Sequence, residues 1–218
     1  TRYASHSLSK KFSYTKFNNF FTENFVPQLL NLFFTQIDQW CNKILWLSDE
    51  SLYFLINFIE NSVTQKKTWP FIKPHFELLV SHFVFPLLCP SDDILDRFEN
   101  DPQEYIHTNL DIYDESTSPD LAAISLLVTL TTKKKKTTLE PILKFAYNSL
   151  NQLKDVAGTD LEAAKKLEGA MRLIGSISDN FVKETSPYYS QMEAFLTNLI
   201  FPHFDSQFGF IKARTCEV

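Results

Sequence analysis

Between residues 91 and 120 the chain carries ten carboxylates, Asp92, Asp93, Asp96, Glu99, Asp101, Glu104, Asp111, Asp114, Glu115 and Asp120, against one cation, Arg97. The local charge is −9 in a chain of 218 residues whose formal net charge is −5, so the remainder is slightly basic at +4. A stretch of this kind attracts a basic partner and speeds the encounter electrostatically; the competing reading is a solvated loop. Other carboxylate chemistry fits poorly. The string Asp92-Asp93-Ile94-Leu95-Asp96 lacks the alternating oxygen ligands and the glycine of a calcium-binding turn, and no positioned acid for glycoside chemistry can be read from it.

The remaining reactive residue types are scattered. Lys133-Lys134-Lys135-Lys136 follows Thr131-Thr132 at the end of a predicted helix, where cations are favoured by the helix dipole; contact with a phosphate or an acidic partner is the alternative. His6, His75, His82, His107 and His203 form no HExxH motif and no i, i+4 pair, and read as surface or satisfied core residues. Cys41, Cys89 and Cys216 are odd in number and far apart, so neither a disulfide framework nor a zinc site can be drawn. Of only four glycines, none precedes Gly158, which leaves the first two thirds of the chain without a residue suited to cradling a phosphate. With no Gly-x-Ser-x-Gly elbow and no Cys/His nucleophile signature, no catalytic residue, metal site or cofactor is expected, and the chain reads as a non-enzyme. A sequence pI of about 5.5, with no basic stripe interleaved with aromatics, argues against nucleic acid as the main ligand. No run of about 18 uncharged apolar residues suggests a membrane span.

The elements that would position these groups are helices. Apolar residues recur at helical spacing, as in Phe17, Phe20, Phe21, Phe25 and Leu52, Leu55, Ile56, Ile59, and strict alternation is hard to find. The fold class is therefore all-α. Helices are expected near 16–47 with a break around Pro27, 50–64, 70–89, 91–110 in two pieces, 118–132, 138–153, 160–184, 188–204 and from 208 onward. Ser48 and Ser118-Pro119 mark starts, as does Thr138 ahead of Glu140-Pro141. Most of the 21 phenylalanines, including Phe83, Phe85, Phe145, Phe181 and Phe195, are expected in inter-helix packing. Tyr188, Tyr189 and Trp69 are of a type that can line a groove, although core packing is the first expectation for each.

A repeat is also visible. Prolines sit in matching apolar settings at Phe25-Val26-Pro27-Gln28-Leu29, Val84-Phe85-Pro86-Leu87-Leu88 and Ile200-Phe201-Pro202-His203-Phe204, at offsets of 59 and 116 residues. An interior proline costs a helix about 3 kcal/mol, so three similar ones suggest deliberate kinks. Together with the intervening helix pair they give a period of roughly 40 to 47 residues, the spacing of HEAT repeats. The expected architecture is a superhelical solenoid of about four to five helix pairs, a single segment spanning 1–218, with an acidic insertion at 91–117. An irregular helical domain with three proline kinks is the alternative. The chain begins at Thr1 without a methionine and stops in an apparently interrupted amphipathic helix, Ile211 to Val218, so it is expected to be a piece of a longer protein.

Several strings resemble the importin-beta (karyopherin-beta) family of nuclear transport receptors, in its importin-seven and importin-eight branch with fungal counterparts. They are Thr68-Trp69 with Lys73-Pro74-His75, Val84-Phe85-Pro86-Leu87-Leu88-Cys89, Glu99-Asn100-Asp101-Pro102-Gln103-Glu104-Tyr105-Ile106, Gly169-Ala170-Met171-Arg172-Leu173-Ile174-Gly175-Ser176, Gln191-Met192-Glu193, Ile200-Phe201-Pro202-His203-Phe204 and Gly209-Phe210-Ile211-Lys212-Ala213-Arg214. The Asp-Pro-x-Glu-Tyr-Ile string in its acidic setting is the more specific part, and residues 1–67 match more loosely. The resemblance implies a central stretch of a cargo receptor that moves between cytoplasm and nucleus, contacts Phe-Gly nucleoporins, and releases cargo when Ran-GTP binds the full-length receptor. It implies that the acidic insertion, Asp92, Asp93, Asp96, Glu99, Asp101, Glu104, Asp111, Asp114 and Glu115, meets basic cargo or Ran, with no direct nucleic acid and no membrane. A HEAT scaffold outside nuclear transport is the alternative.

Overall fold

A computed structural model of the chain describes residues 15–105 and 118–218. Among the described residues the secondary structure is helical, with no strand. The order is α1 (Thr15–Asn24), α2 (Val26–Cys41), α3 (Asp49–Thr64), α4 (Trp69–Ile72), α5 (Phe76–Leu78), a π-helical stretch (Leu79–Val84), α6 (Phe85–Leu88) and α7 (Asp92–Asn100). Then come α8 (Pro119–Lys133), α9 (Lys135–Leu153) and α10 (Leu161–Ser176), followed by 3-10 turns at Ser178–Asn180 and Tyr189–Gln191. The chain finishes with α11 (Met192–Phe195), a second π-helical stretch (Leu196–Ile200), a 3-10 turn (Phe201–Asp205) and α12 (Gly209–Glu217). This is the all-α, HEAT-type class expected from the periodicity.

Local signals account for most boundaries. Ser48 caps α3, its hydroxyl accepting from the Ser51 amide at 3.3 Å, and Asp49 and Glu50 fill the dipole-favoured first turn. Asp160 caps α10 in the same way through the Glu162 amide at 3.0 Å. α2 ends at Cys41, short of the expected residue 47, because Lys43 turns into the left-handed region at φ 58°. Ser118 is not the cap expected: its hydroxyl donates to Asp120, and Pro119 alone marks the start of α8. Thr138 does not start a helix either. α9 begins at Lys135, one residue after α8 closes at Lys134, and the buried Thr138 hydroxyl donates to Leu130 O at 2.7 Å, holding that tight junction.

The three matched prolines are handled in two ways. Pro27 stands at the opening of α2, where its missing N–H would be unpaired in any case. Pro86 and Pro202 each follow a π-helical stretch, Leu79–Val84 and Leu196–Ile200. A wider turn gives the pyrrolidine ring room past the carbonyl four residues back, so the backbone widens instead of breaking.

The chain divides into two compact units. In the first, which takes in described residues 15–83 and 118–139, α3 packs along α8 and buries Leu52, Leu55, Ile56, Ile59, Val63, Leu126, Leu127 and Leu130. Glu60 of α3 accepts from Ser125 and Thr129 of α8, both at 2.8 Å, while Lys134 reaches Trp69 just beyond α3, so the two helices run parallel. In the second unit, described residues 84–105 and 140–218, α10 is the hub and packs on α6 and α12. Its Ala164, Leu167, Ala170, Met171 and Leu173 are essentially fully buried. By length and composition alone the stretch Phe76–Asn100 would suffice to cross a membrane. It is not one helix, however: it breaks at residues 89–91, and its second half bears Asp92, Asp93, Asp96, Arg97 and Glu99.

Candidate functional site

The acidic segment is helical where it is described, not a solvated loop. Ser91 caps α7, its hydroxyl accepting from the Ile94 amide at 3.3 Å, and Asp92 and Asp93 occupy the first turn, where the helix dipole favours carboxylates. Asp101 then interrupts the helix and caps a second helical segment at 102–105, its Oδ1 accepting from the Glu104 amide at 3.0 Å. At 3.6 residues per turn, Asp92, Asp93, Asp96 and Glu99 share one face of α7 and Ile94, Leu95 and Phe98 the other. The acidic residues are exposed and the three apolar ones half-buried.

Three contacts pin this helix to its unit. Phe98 and Tyr105 meet edge to face with centroids 5.0 Å apart. Phe98 lies so close to Gly209 at the start of α12 that a Cβ there would fall 3.0 Å from its ring, which only glycine avoids. Asp92 accepts from Lys165 Nζ at 2.6 Å, and Glu162 accepts from the same ammonium at 2.7 Å. Hydrogen bonds to Asp92 and Glu162 hold the ammonium of Lys165, only 8% exposed, above its ordinary pKa.

The predicted site residues therefore separate by role. Asp92 is an exposed carboxylate that pairs with the buried Lys165. Asp96 accepts from Asn100 at 2.8 Å, and Asp101 is a cap. Asp93, Asp96, Glu99, Asp101 and Glu104 all present exposed carboxylates. Asp111, Asp114 and Glu115 lie outside the described residues. Asp120 belongs to the other unit, in the first turn of α8. Among the described residues no group of three His, Cys, Asp or Glu side chains could hold a metal ion.

Behind the acidic helix is a buried ion pair with no sequence signal. Arg214 Nε of α12 donates to Glu168 of α10 at 2.6 Å and also pairs with Glu217. Burial pushes the Glu168 carboxyl above its usual range despite Arg214, and its Oε2 makes no hydrogen bond. Burial likewise raises Tyr105 and drives the Cys89 thiol up to about 12.

Two apolar cavities accompany these features, one in each unit. In the second unit a cavity of about 740 Å³ is lined by Leu143, Tyr147, Phe181, Tyr188, Phe195 and Leu199, with Asn151, Asn198 and Gln191 among its polar groups. In the first unit a cavity of about 610 Å³ is lined by Phe33, Leu47, Tyr53, Phe54 and Phe58 with Gln36, Asn57 and Asn61. Tyr188 is thus a cavity residue. Phe201, in the repeated proline setting, is 48% exposed and meets Phe204 at a tilt, with centroids 6.0 Å apart, instead of filling the core.

Several relatives match this chain from end to end. The Saccharomyces cerevisiae protein named Nonsense-mediated mRNA decay protein 5 is 44% identical over all 218 residues, which are 21% of its own length. Human Importin-8 is 30% identical over 217 residues, covering 100% of this chain and 20% of its own. The Arabidopsis thaliana Importin beta-like SAD2 homolog is 25% identical over 79% of this chain and 17% of its own. The chain thus spans about a fifth of the length of the curated relatives it matches. No family model matches it. No solved structure matches it either. The helical order, the Asp-Pro-x-Glu-Tyr string that caps and anchors the acidic helix, and relatives that cover every residue converge on one assignment: this chain belongs to the importin-beta family, in the branch of importin-7 and importin-8 and their fungal counterparts.

Proposed function

We propose that this chain is a protein-binding segment of a nuclear import receptor, holding cargo through the acidic face of α7 and the segment that follows it. The observation that carries the reading is the anchoring of that face. Phe98, Tyr105 and the Asp92–Lys165 pair hold the helix backbone, so the exposed carboxylates of Asp93, Asp96 and Glu99 are displayed from a fixed scaffold. Preorganised charge costs less ordering on binding than charge on a loose loop. The partners that fit are basic surfaces of cargo, or of Ran in the full receptor, with Asp111, Asp114 and Glu115 extending the same acidic run. The two aromatic-lined cavities, each with side-chain amides among its lining groups, suit phenylalanine anchors of Phe-Gly nucleoporins. The receptor would shuttle between cytoplasm and nucleus and release cargo when Ran-GTP binds. No step of this reading is catalytic.

The test is capture of a basic cargo by the full receptor, with Ran loaded with GTP or GDP, for the natural protein and for the triple variant D93N/D96N/E99Q. Release by the GTP form alone, together with slower cargo association and a flatter salt dependence in the variant, is expected. Indifference to Ran's nucleotide overturns the transport reading. An unchanged association rate in the variant removes α7 from cargo binding.

A further inference from the structure

The fold brings together two lysine runs that the sequence keeps about 65 residues apart, Lys66-Lys67 and Lys133-Lys134-Lys135-Lys136. The parallel packing of α3 and α8 delivers their C-terminal ends to one place. There Lys134 Nζ sits 5.3 Å from the Trp69 ring centroid, and Lys66 is near enough to act electrostatically on Lys134. Lys66, Lys67, Lys133, Lys135 and Lys136 are exposed. Among the described residues these six lysines make one ion pair, Lys67 with Glu23 at 2.8 Å.

Local physics does not favour this arrangement. Cations are favoured at a helix C-terminus, which suits Lys133 at the end of α8. Lys135 and Lys136, however, open the 19-residue α9, where the dipole repels them and no acidic residue shares the first turn. Lys134 is partly desolvated beside another lysine, which lowers its pKa. A cluster of six lysines that breaks a local rule with Glu23 as its one paired carboxylate among the described residues is the pattern expected where a surface is kept for something outside it.

We propose that this lysine cluster, with Trp69 at its centre, is a second docking surface of the chain, one that takes a carboxylate-rich segment of a partner protein. The occupant follows from charge complementarity and from the shape of the patch. The surface is compact, holds no arginine among the described residues, and its aromatic ring is already covered by Lys134, so no free stacking platform is offered to bases. The net charge of −5 also opposes the approach of a long polyanion. A short acidic peptide meets the lysines within one Debye length, about 8 Å at physiological salt, without that penalty. The surface belongs to the first unit and shares no residue with α7, so it stands or falls separately from cargo capture there.

The experiment is fluorescence anisotropy on the full chain with labelled decaglutamate, and with labelled twelve-residue oligothymidine as the nucleic-acid arm. Decaglutamate should bind with a steep salt dependence, and K66Q/K67Q/K135Q/K136Q should weaken it by about tenfold. The matched variant K144Q/K154Q/K183Q/K212Q, which removes the same charge elsewhere, should leave binding unchanged. All eight side chains are solvent-exposed or nearly so, so both proteins should keep the natural helical signal. Equal weakening by the two variants overturns the proposal in favour of a net-charge effect. Tighter binding of the oligothymidine, lost in the first variant, overturns it in favour of nucleic acid. No binding of decaglutamate at low salt overturns it outright.

Discussion

Replacing Gly169 by alanine should destabilise the second unit, whereas the same change at Gly175 on the same helix should stabilise it. A glycine in a helix interior costs about 1 kcal/mol relative to alanine, so propensity alone favours both changes. The neighbours decide the sign. A Cβ at Gly169 would fall 2.6 Å from Cys89 Sγ and 3.2 Å from both Cys89 Cα and N, so the end of α6 lies directly against α10. The sulfur can rotate away but the backbone cannot. Overpacking of this kind costs about 1 to 3 kcal/mol, which leaves Gly169→Ala with a net loss of about 0 to 2 kcal/mol. At Gly175 the nearest atom is Val218 Cγ2 at 3.9 Å, an ordinary contact, so the gain of up to about 1 kcal/mol stands alone. In a chain of this size the two variants should melt about 2 to 12 °C apart, measured by circular dichroism with urea titration as a second route. Adding Cys89→Ala to Gly169→Ala should recover the part due to the sulfur. A Gly169→Ala protein as stable as Gly175→Ala would refute the close packing of α6 on α10.

Three further outcomes follow from burial. Phe83→Ala, at a fully buried ring packed edge to face on Trp40, should cost about 3 to 5 kcal/mol, whereas Phe201→Ala at the exposed ring should cost less than about 1; similar urea midpoints for the two would contradict the core assignment. Thiol labelling under native conditions should modify the exposed Cys216 first and Cys89 last, because burial holds the Cys89 thiol near 12; fast labelling of Cys89 would mean the α6 and α10 contact opens readily. Burial lowers the His203 pKa below 6.5, so the unfolded chain binds the proton more readily, and the stability this imidazole supplies is complete above 6.5 and lost as pH falls through its folded value. Glu168, pushed above 4.5, has the opposite dependence, its contribution falling as pH rises through its folded value. His203→Gln should therefore flatten the loss of stability below pH 6.5, and an unchanged pH profile would place His203 in water.

The sequence by itself determined the helical class, since apolar residues recurring at 3.6-residue spacing have no other regular way to bury one face. It also determined the cap at Ser48 and the acidic character of 91–120, because these are properties of neighbouring residues, whereas the cap at Ser91 went unread. Even the split of the acidic stretch into two helical pieces was legible, and the structure puts the break at Asp101. What went astray depended on contacts beyond the adjacent residues. The start expected at Thr138 moved to Lys135 because Thr138 bonds back to Leu130. The π-helical stretches that precede Pro86 and Pro202 went unread, since a widened turn has no signature in residue spacing. Tertiary structure alone chose among identical side chains: it tied Asp92, and not Asp93, to Lys165, buried Phe83 while exposing Phe201, and paired Glu168 with Arg214. It also gathered Lys66-Lys67 and Lys133 to Lys136 around Trp69. Charge and periodicity are one-dimensional quantities that a sequence carries openly, whereas desolvation and pairing are set by which helix faces meet, and that is decided only when the chain folds back on itself.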